Sequence, residues 1–138
     1  MNKKILLAED ERDVRQFLRV ALAEHHFDVT AVDNGAEAVV AATEQAFDLY
    51  LLDMMMPGLD GVQTIRVLRK VTPQVPIIGL TGYVGQGFMA QSLEFGVTCL
   101  NKPIEIVALV KEINETMKVK NEQNTKFQKP KSQTNNRV

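Results

Sequence analysis

The chain has 138 residues, 45% of them apolar and 24% charged, enough for one soluble domain with a real core and too few for two. No apolar run approaches the ~20 residues that span a bilayer, and a single cysteine, Cys99, excludes an internal disulfide, so a cytoplasmic location is expected and a membrane role is not. The formal net charge of −1 divides unevenly, with 10 basic and 16 acidic side chains in residues 1–117 against six basic and one acidic in residues 118–138.

In chain order, Ile5-Leu6-Leu7-Ala8 reads as a buried strand and leads into the acids Glu9-Asp10-Glu11. Those acids also interrupt the apolar stretch that a secretory signal needs. Val14, Phe17, Leu18, Ala21 and Leu22 then recur at helical spacing, and His25-His26 falls at that helix's C-terminal end, where a cationic imidazole complements the dipole. Val29, Ala31 and Val32 mark a second strand. Asn34-Gly35-Ala36-Glu37 has the spacing of a capping box and predicts a small helix to about Glu44.

Asp48-Leu49-Tyr50-Leu51-Leu52 is the third strand, and it runs into Asp53 and the turn residues Pro57-Gly58. Asp60-Gly61-Val62-Gln63 again has capping-box spacing, ahead of Ile65, Leu68 and Val71 on one helical face. Ile77-Ile78-Gly79-Leu80 gives a fourth strand, followed by a loop with Gly82, Gly85 and Gly87 and a helix near Phe88–Glu94. Val97-Thr98-Cys99-Leu100 is the fifth strand. Ile106, Leu109, Val110, Ile113 and Met117 mark the last helix. Residues 119–138, rich in Lys, Asn and Gln with Phe127 as the single large apolar side chain, read as a disordered basic tail or a linker remnant after a domain at 1–118.

Strands alternating with helices predict an α/β fold, a doubly wound five-stranded parallel sheet with helices on both faces. Sites in such sheets lie outside the carboxyl ends of the strands, where the sequence puts Asp10, Asp53, Thr81 and Lys102. Taken alone, Glu9-Asp10-Glu11 reads as acids favouring a helix N-terminus. A further acid, Asp53, at the end of another strand tips the reading to a cation site, because crowded carboxylates repel unless a cation lies between them. Magnesium suits such oxygen donors.

A carboxylate can also act as a nucleophile and form an acyl phosphate, given positive charge to neutralise the incoming oxygens. Lys102 supplies a point charge, Thr81 a hydroxyl donor, and Gly82 leaves room. The order of glycines in Gly82–Gly87 is not the dinucleotide fingerprint, and there is no P-loop. Cys99 reads as a small hydrophobe, and Met54-Met55-Met56 as packing plus one functional carbonyl.

The stretches Leu6-Leu7-Ala8-Glu9-Asp10-Glu11, Asp53-Met54-Met55-Met56-Pro57-Gly58-Leu59-Asp60-Gly61, Leu80-Thr81-Gly82 and Asn101-Lys102-Pro103 carry a resemblance to a known family. Over roughly residues 3–118 the chain resembles a response-regulator receiver domain of two-component signalling, of the chemotaxis-regulator kind. The resemblance implies a flavodoxin-like strand order 2-1-3-4-5. It also implies a phosphoprotein in which Asp53 is the phosphoacceptor for a histidine kinase's phosphohistidine. Asp10 would ligate Mg2+ directly, Glu9 mainly through water, and Asp53 and the Met55 backbone carbonyl would complete the protein ligands. Thr81 and Lys102 would bind the phosphoryl oxygens.

The implied partners are a sensor histidine kinase or phosphotransfer protein in a phosphorelay, and a downstream protein that the sequence does not identify. A monomer or a phosphorylation-dependent dimer is expected. No direct nucleic-acid contact is expected, and no enzymatic activity beyond the domain's own phosphorylation and dephosphorylation. Two departures stand out: Cys99 and Leu100 replace the aromatic often found before the Lys-Pro pair, and Gly96 to Lys102 is one residue shorter than usual. Tyr83 is a candidate gate in place of that aromatic. Met55 and Tyr83 offer no acid or amide to orient water, which predicts slow hydrolysis of the acyl phosphate. The alternatives are a non-phosphorylated docking module with the same fold and the receiver half of a larger transcription factor.

Overall fold

Continuous apolar strands, buried on both faces, explain the architecture of the computed structural model, which describes residues 2–56, 58, 61–82 and 96–128, with side chains to 118. The strands are β1 (Lys4–Ala8), β2 (Asp28–Val32), β3 (Leu49–Asp53), β4 (Ile77–Thr81) and β5 (Thr98–Asn101). The helices are α1 (Arg12–Glu24), α2 (Gly35–Glu44), α3 (Gly61–Val71) and α4 (Ile106–Gln128). All strand pairs are parallel and the order is β2-β1-β3-β4-β5. This is the doubly wound, flavodoxin-like α/β arrangement expected.

Because successive strand residues point to opposite faces, Leu6, Ala8, Tyr50 and Leu52 join one core, whereas Ile5, Leu7, Leu49 and Leu51 join another. The first core is closed by Ala38, Ala41 and Ala42 of α2 and by Ile65 and Leu68 of α3. The second is closed by Leu18 and Leu22 of α1 and by Leu109 and Ile113 of α4. The apolar stripes of the four described helices therefore decide which face each one covers.

The capping box at Asn34 is present: its side chain accepts a hydrogen bond from the Glu37 N–H at 2.8 Å. His25 caps α1, and His26 has a φ of 71°, the left-handed conformation that commonly ends a helix. Phe17 lies in α1, as its spacing predicts. It follows the helical stripe yet is 58% exposed, at the edge of the apolar arc. The helix near Phe88–Glu94, the candidate gate Tyr83 and the cap at Asp60 lie outside the described residues.

The last helix extends past residue 118, where the sequence reading ends the domain. The α4 backbone continues to Gln128, because Lys118–Gln128 contains neither Gly nor Pro and a helix satisfies its own backbone without burying a side chain.

Met54, the residue after β3, is wholly buried beneath the carboxyl edge of the sheet. Two glycines make room for it. A Cβ at Gly61 would stand 2.5 Å from Met54 Cα, and one at Gly79 would stand 2.8 Å from Met54 Sδ. At Gly79 the sulfur can give; at Gly61 the obstacle is backbone. Gly61→Ala is therefore expected to cost about 2 kcal/mol or more of unfolding free energy in a urea titration, whereas an Ala with room to spare would be neutral or stabilising.

Candidate functional site

The sheet changes winding direction between β1 and β3: the chain leaves β1 for β2 on one side and returns to β3 on the other. At such a point the loops diverge and leave a crevice above the carboxyl ends. Register then decides which side chains meet there. Ala8 lies level with Leu52, so Glu9 follows beside Asp53, and Thr81 lies level with Asn101, so Lys102 follows beside the end of β4. Backbone bonds extend the ladders past the strand ends: Glu9 N–H to Val32 carbonyl at 3.1 Å, Met54 N–H to Leu80 carbonyl at 2.7 Å, and Lys102 N–H to Thr81 carbonyl at 2.8 Å.

Carboxylate oxygens of Glu9, Asp10 and Asp53 come within 4.8 Å of one another. Glu9 is wholly buried, Asp53 is 3% exposed and Asp10 is half-buried. The Lys102 ammonium reaches both buried acids, 2.9 Å from Glu9 Oε1 and 3.5 Å from Asp53 Oδ1. The shorter contact is an ion pair without hydrogen-bond geometry, so Glu9 Oε1 is buried with no hydrogen-bond donor. Its other oxygen accepts the Glu11 N–H at 3.2 Å, and Asp53 Oδ1 accepts the Met55 N–H at 3.1 Å. The Lys102–Pro103 peptide is cis.

Three convergent carboxylates, one with a buried lone pair that no hydrogen bond uses, fit a hard divalent cation such as magnesium. Of the expected residues, the structure thus brings together Glu9, Asp10, Asp53 and Lys102. Thr81 closes β4 and is fully buried. Gly82 follows it, and a Cβ there would meet nothing within 4 Å among the described residues. Met55 is exposed, with its N–H turned to Asp53.

Burial raises the Asp53 carboxyl to about 7, helped by the neighbouring Glu9 charge and opposed by the Met55 N–H and by Lys102. Burial works against a charged Lys102, but the close carboxylate charges of Glu9 and Asp53 outweigh it and leave the amine raised.

Two features escaped the sequence reading. Arg15, half-buried one turn into α1, donates from Nη1 to the backbone carbonyls of Glu9 and Asp10. Its place in α1 after the acids is the only sequence signal, and that is a weak one. Phe17 and Val14 form part of an apolar cavity of about 470 Å³, with Leu80, Pro103 and Ile104, that opens beside Lys102.

Residues 5–114 match the family of response regulator receiver domains. The chain is 36% identical over 116 residues to the response regulator receiver protein CpdR of Brucella abortus, covering 83% of this chain and 97% of that protein. It is 35% identical to the transcriptional regulatory protein ResD of Bacillus subtilis, over 80% of this chain but 47% of that one. The chain spans about half the length of that regulator and of others it matches. Among solved structures, the receiver domain of Francisella response regulator 1452 is 30% identical with a TM-score of 0.78, covering 85% of this chain and 98% of that chain. A response regulator receiver domain protein from Clostridium thermocellum is 27% identical with a TM-score of 0.82, covering 88% and 98%.

The raised Asp53 carboxyl makes stability depend on pH in a defined direction. A carboxyl that folding raises favours the folded state while protonated. Its benefit is complete below the ordinary 3.8 and is lost as pH climbs through about 7. Asp53→Asn cannot ionise. In metal-free buffer it is expected to melt with the unaltered protein near pH 4 and above it, by more than about 5 °C, near pH 8. Thermal denaturation in chelator across that range checks it, and a gap that shrinks toward high pH contradicts it.

Proposed function

The chain belongs to the response regulator receiver domain family, and on that premise we propose that Asp53 accepts a phosphoryl group from a phosphohistidine. The observation that carries the proposal is the meeting of buried Asp53 and Glu9, with Asp10 and the Lys102 ammonium, at the point where the sheet reverses its winding. An Asp53 carboxylate oxygen forms the new O–P bond as the N–P bond breaks, and the electron pair of that bond stays with the departing imidazole. The product is an acyl phosphate.

Glu9, Asp10, Asp53 and the Met55 carbonyl are the residues that would hold magnesium, which when bound supplies positive charge to phosphoryl oxygens. Lys102, already within 3.5 Å of Asp53, holds a phosphoryl oxygen from the side of β5, and Thr81 donates its hydroxyl to another. Gly82 leaves the approach open. In the metal-free protein the raised Asp53 is partly protonated near neutrality, and only the carboxylate can attack. Cationic charge in the pocket favours the reactive form.

The donor is a sensor histidine kinase or phosphotransfer protein. The apolar cavity lined by Val14, Phe17 and Ile104 beside Lys102 is where we place its contact. The modified domain, residues 1–118, then exchanges a downstream protein at the face formed by the end of β4, the segment that follows it and β5. It acts in the cytoplasm and performs no chemistry on other substrates. A second reading is favoured by one observation: the chain spans about half of several matching transcriptional regulators, so the domain would serve as the receiver half of such a factor.

Intact-mass analysis after incubation with acetyl phosphate tests the chemistry. A single phosphate adduct is expected with magnesium, little without it, and none in Asp53→Asn. No adduct in folded protein, with acetyl phosphate or with histidine kinases, moves the reading to a constitutive docking module. Since the Met55 side chain carries neither an acid nor an amide, the adduct is expected to persist for many minutes at neutral pH. Loss of the label within about a minute would show water being activated by another group.

A further inference from the structure

Arg15 stands among four acids, Glu9, Asp10, Glu11 and Asp13, yet it pairs with none of their carboxylates. Among the described residues the ion pairs of this edge belong to Lys102 alone. The Arg15 guanidinium instead donates from Nη1 to two backbone carbonyls, Glu9 at 2.9 Å and Asp10 at 3.3 Å. The choice has a chemical consequence. A guanidinium placed on the carboxylates would relieve their repulsion but would occupy the oxygens a metal ion needs. Placed on the carbonyls, it holds the same segment and lends it positive charge while the carboxylate oxygens stay available.

The rest of the segment is tied from other directions. The Glu9 N–H is bonded to β2 through the Val32 carbonyl, and the Arg15 N–H is bonded to the Glu11 carbonyl, closing the first turn of α1. Glu11, at the N-cap, contributes no side-chain cap. Without the guanidinium, the Glu9 and Asp10 carbonyls would lose the hydrogen bonds that tie them to α1, and the Glu9 N–H bond to Val32 and the Glu11 N–H bond to the Glu9 carboxylate would remain. Ligands already fixed in place lose less freedom when they bind.

We propose that Arg15 is a positioning residue for the divalent cation. It fixes the backbone from which Glu9 and Asp10 project, and it touches neither the ion nor the phosphoryl group. The inference rests on reading the acidic cluster as a magnesium site.

Isothermal titration of magnesium into the unaltered chain, Arg15→Ala and Arg15→Lys tests it, alongside thermal unfolding in chelator and phosphorylation by acetyl phosphate across a magnesium series. Arg15→Ala is expected to weaken magnesium binding about tenfold or more, the usual range when a group behind a metal ligand is removed. Arg15→Lys, which keeps the charge and a single donor nitrogen without the guanidinium's planar reach, is expected to fall between. The magnesium level giving half-maximal phosphorylation is expected to rise by the same factor, with the rate at saturating magnesium retained.

A residue with a merely structural role would lower the melting temperature and leave magnesium affinity unchanged in both folded variants. That result overturns the role of Arg15 and leaves the metal reading standing. If Arg15→Ala does not fold, Arg15→Lys carries the comparison, and affinity equal to the unaltered chain overturns the proposal. Absence of magnesium binding by the unaltered chain overturns the metal reading itself, and the role of Arg15 with it.

Discussion

Like charges held close at the edge of a buried sheet are the constraint around which this molecule is arranged. Glu9 and Asp53 are almost completely removed from water, Asp10 adds a third carboxylate within 4.8 Å, and one ammonium serves both buried acids. In a medium of reduced dielectric such a group of acids resists full ionisation. The raised Asp53 carboxyl is the visible form of that resistance. A fold that only maximised stability would not place these groups together. Residues that violate local consistency in this way belong where a protein acts.

The surroundings make the crowding tolerable by holding backbone and leaving side chains free. Ladder bonds run past the strand ends at Glu9, Met54 and Lys102, so each charged residue leaves a position already fixed by its neighbour strand. Met54 fills the volume below Asp53, and Gly61 and Gly79 are the residues small enough to let it do so. Arg15 works in the same manner, on carbonyl oxygens. The chemistry stands on backbone geometry, and the backbone geometry stands on the two apolar layers beneath it.

How much of this could be read in advance follows from where each signal resides. The strands were legible because Ile5–Ala8, Leu49–Leu52 and Ile77–Leu80 are short apolar runs bounded by turn residues, and α2 because Asn34 and Glu37 carry a cap in four letters. The convergence of Asp10, Asp53 and Lys102 followed from parallel pairing alone, since parallel strands send all their carboxyl ends to one edge. Arg15 was not legible. A lone arginine in a first helical turn has many uses, and its partners are carbonyl oxygens, which no sequence marks. Phe17 was legible as helical, but its exposure was not, because helical spacing does not tell the centre of a stripe from its edge. The extent of α4 to Gln128 was not legible, because a segment poor in apolar residues carries no periodic signal, although a stretch without Gly or Pro can continue a helix that tertiary packing has already nucleated.

The β4–β5 edge is where an added charge at Asp53 would be felt. A phosphoryl group there brings further negative charge and strong acceptor oxygens to a pocket whose described cation is Lys102. That lysine is shared with Glu9, and its backbone N–H is bonded to the Thr81 carbonyl, so any new division of its charge bears directly on the end of β4. The side chains behind it leave little room for a swing. Cys99 packs toward Gly79 and Met54 in one core, while Leu100 joins the core under α1 and α4, and both are half-buried. Neither Cys99 nor Leu100 is an aromatic that could rotate between core and solvent, and the Thr81–Lys102 backbone bond is the described link between the end of β4 and this lysine.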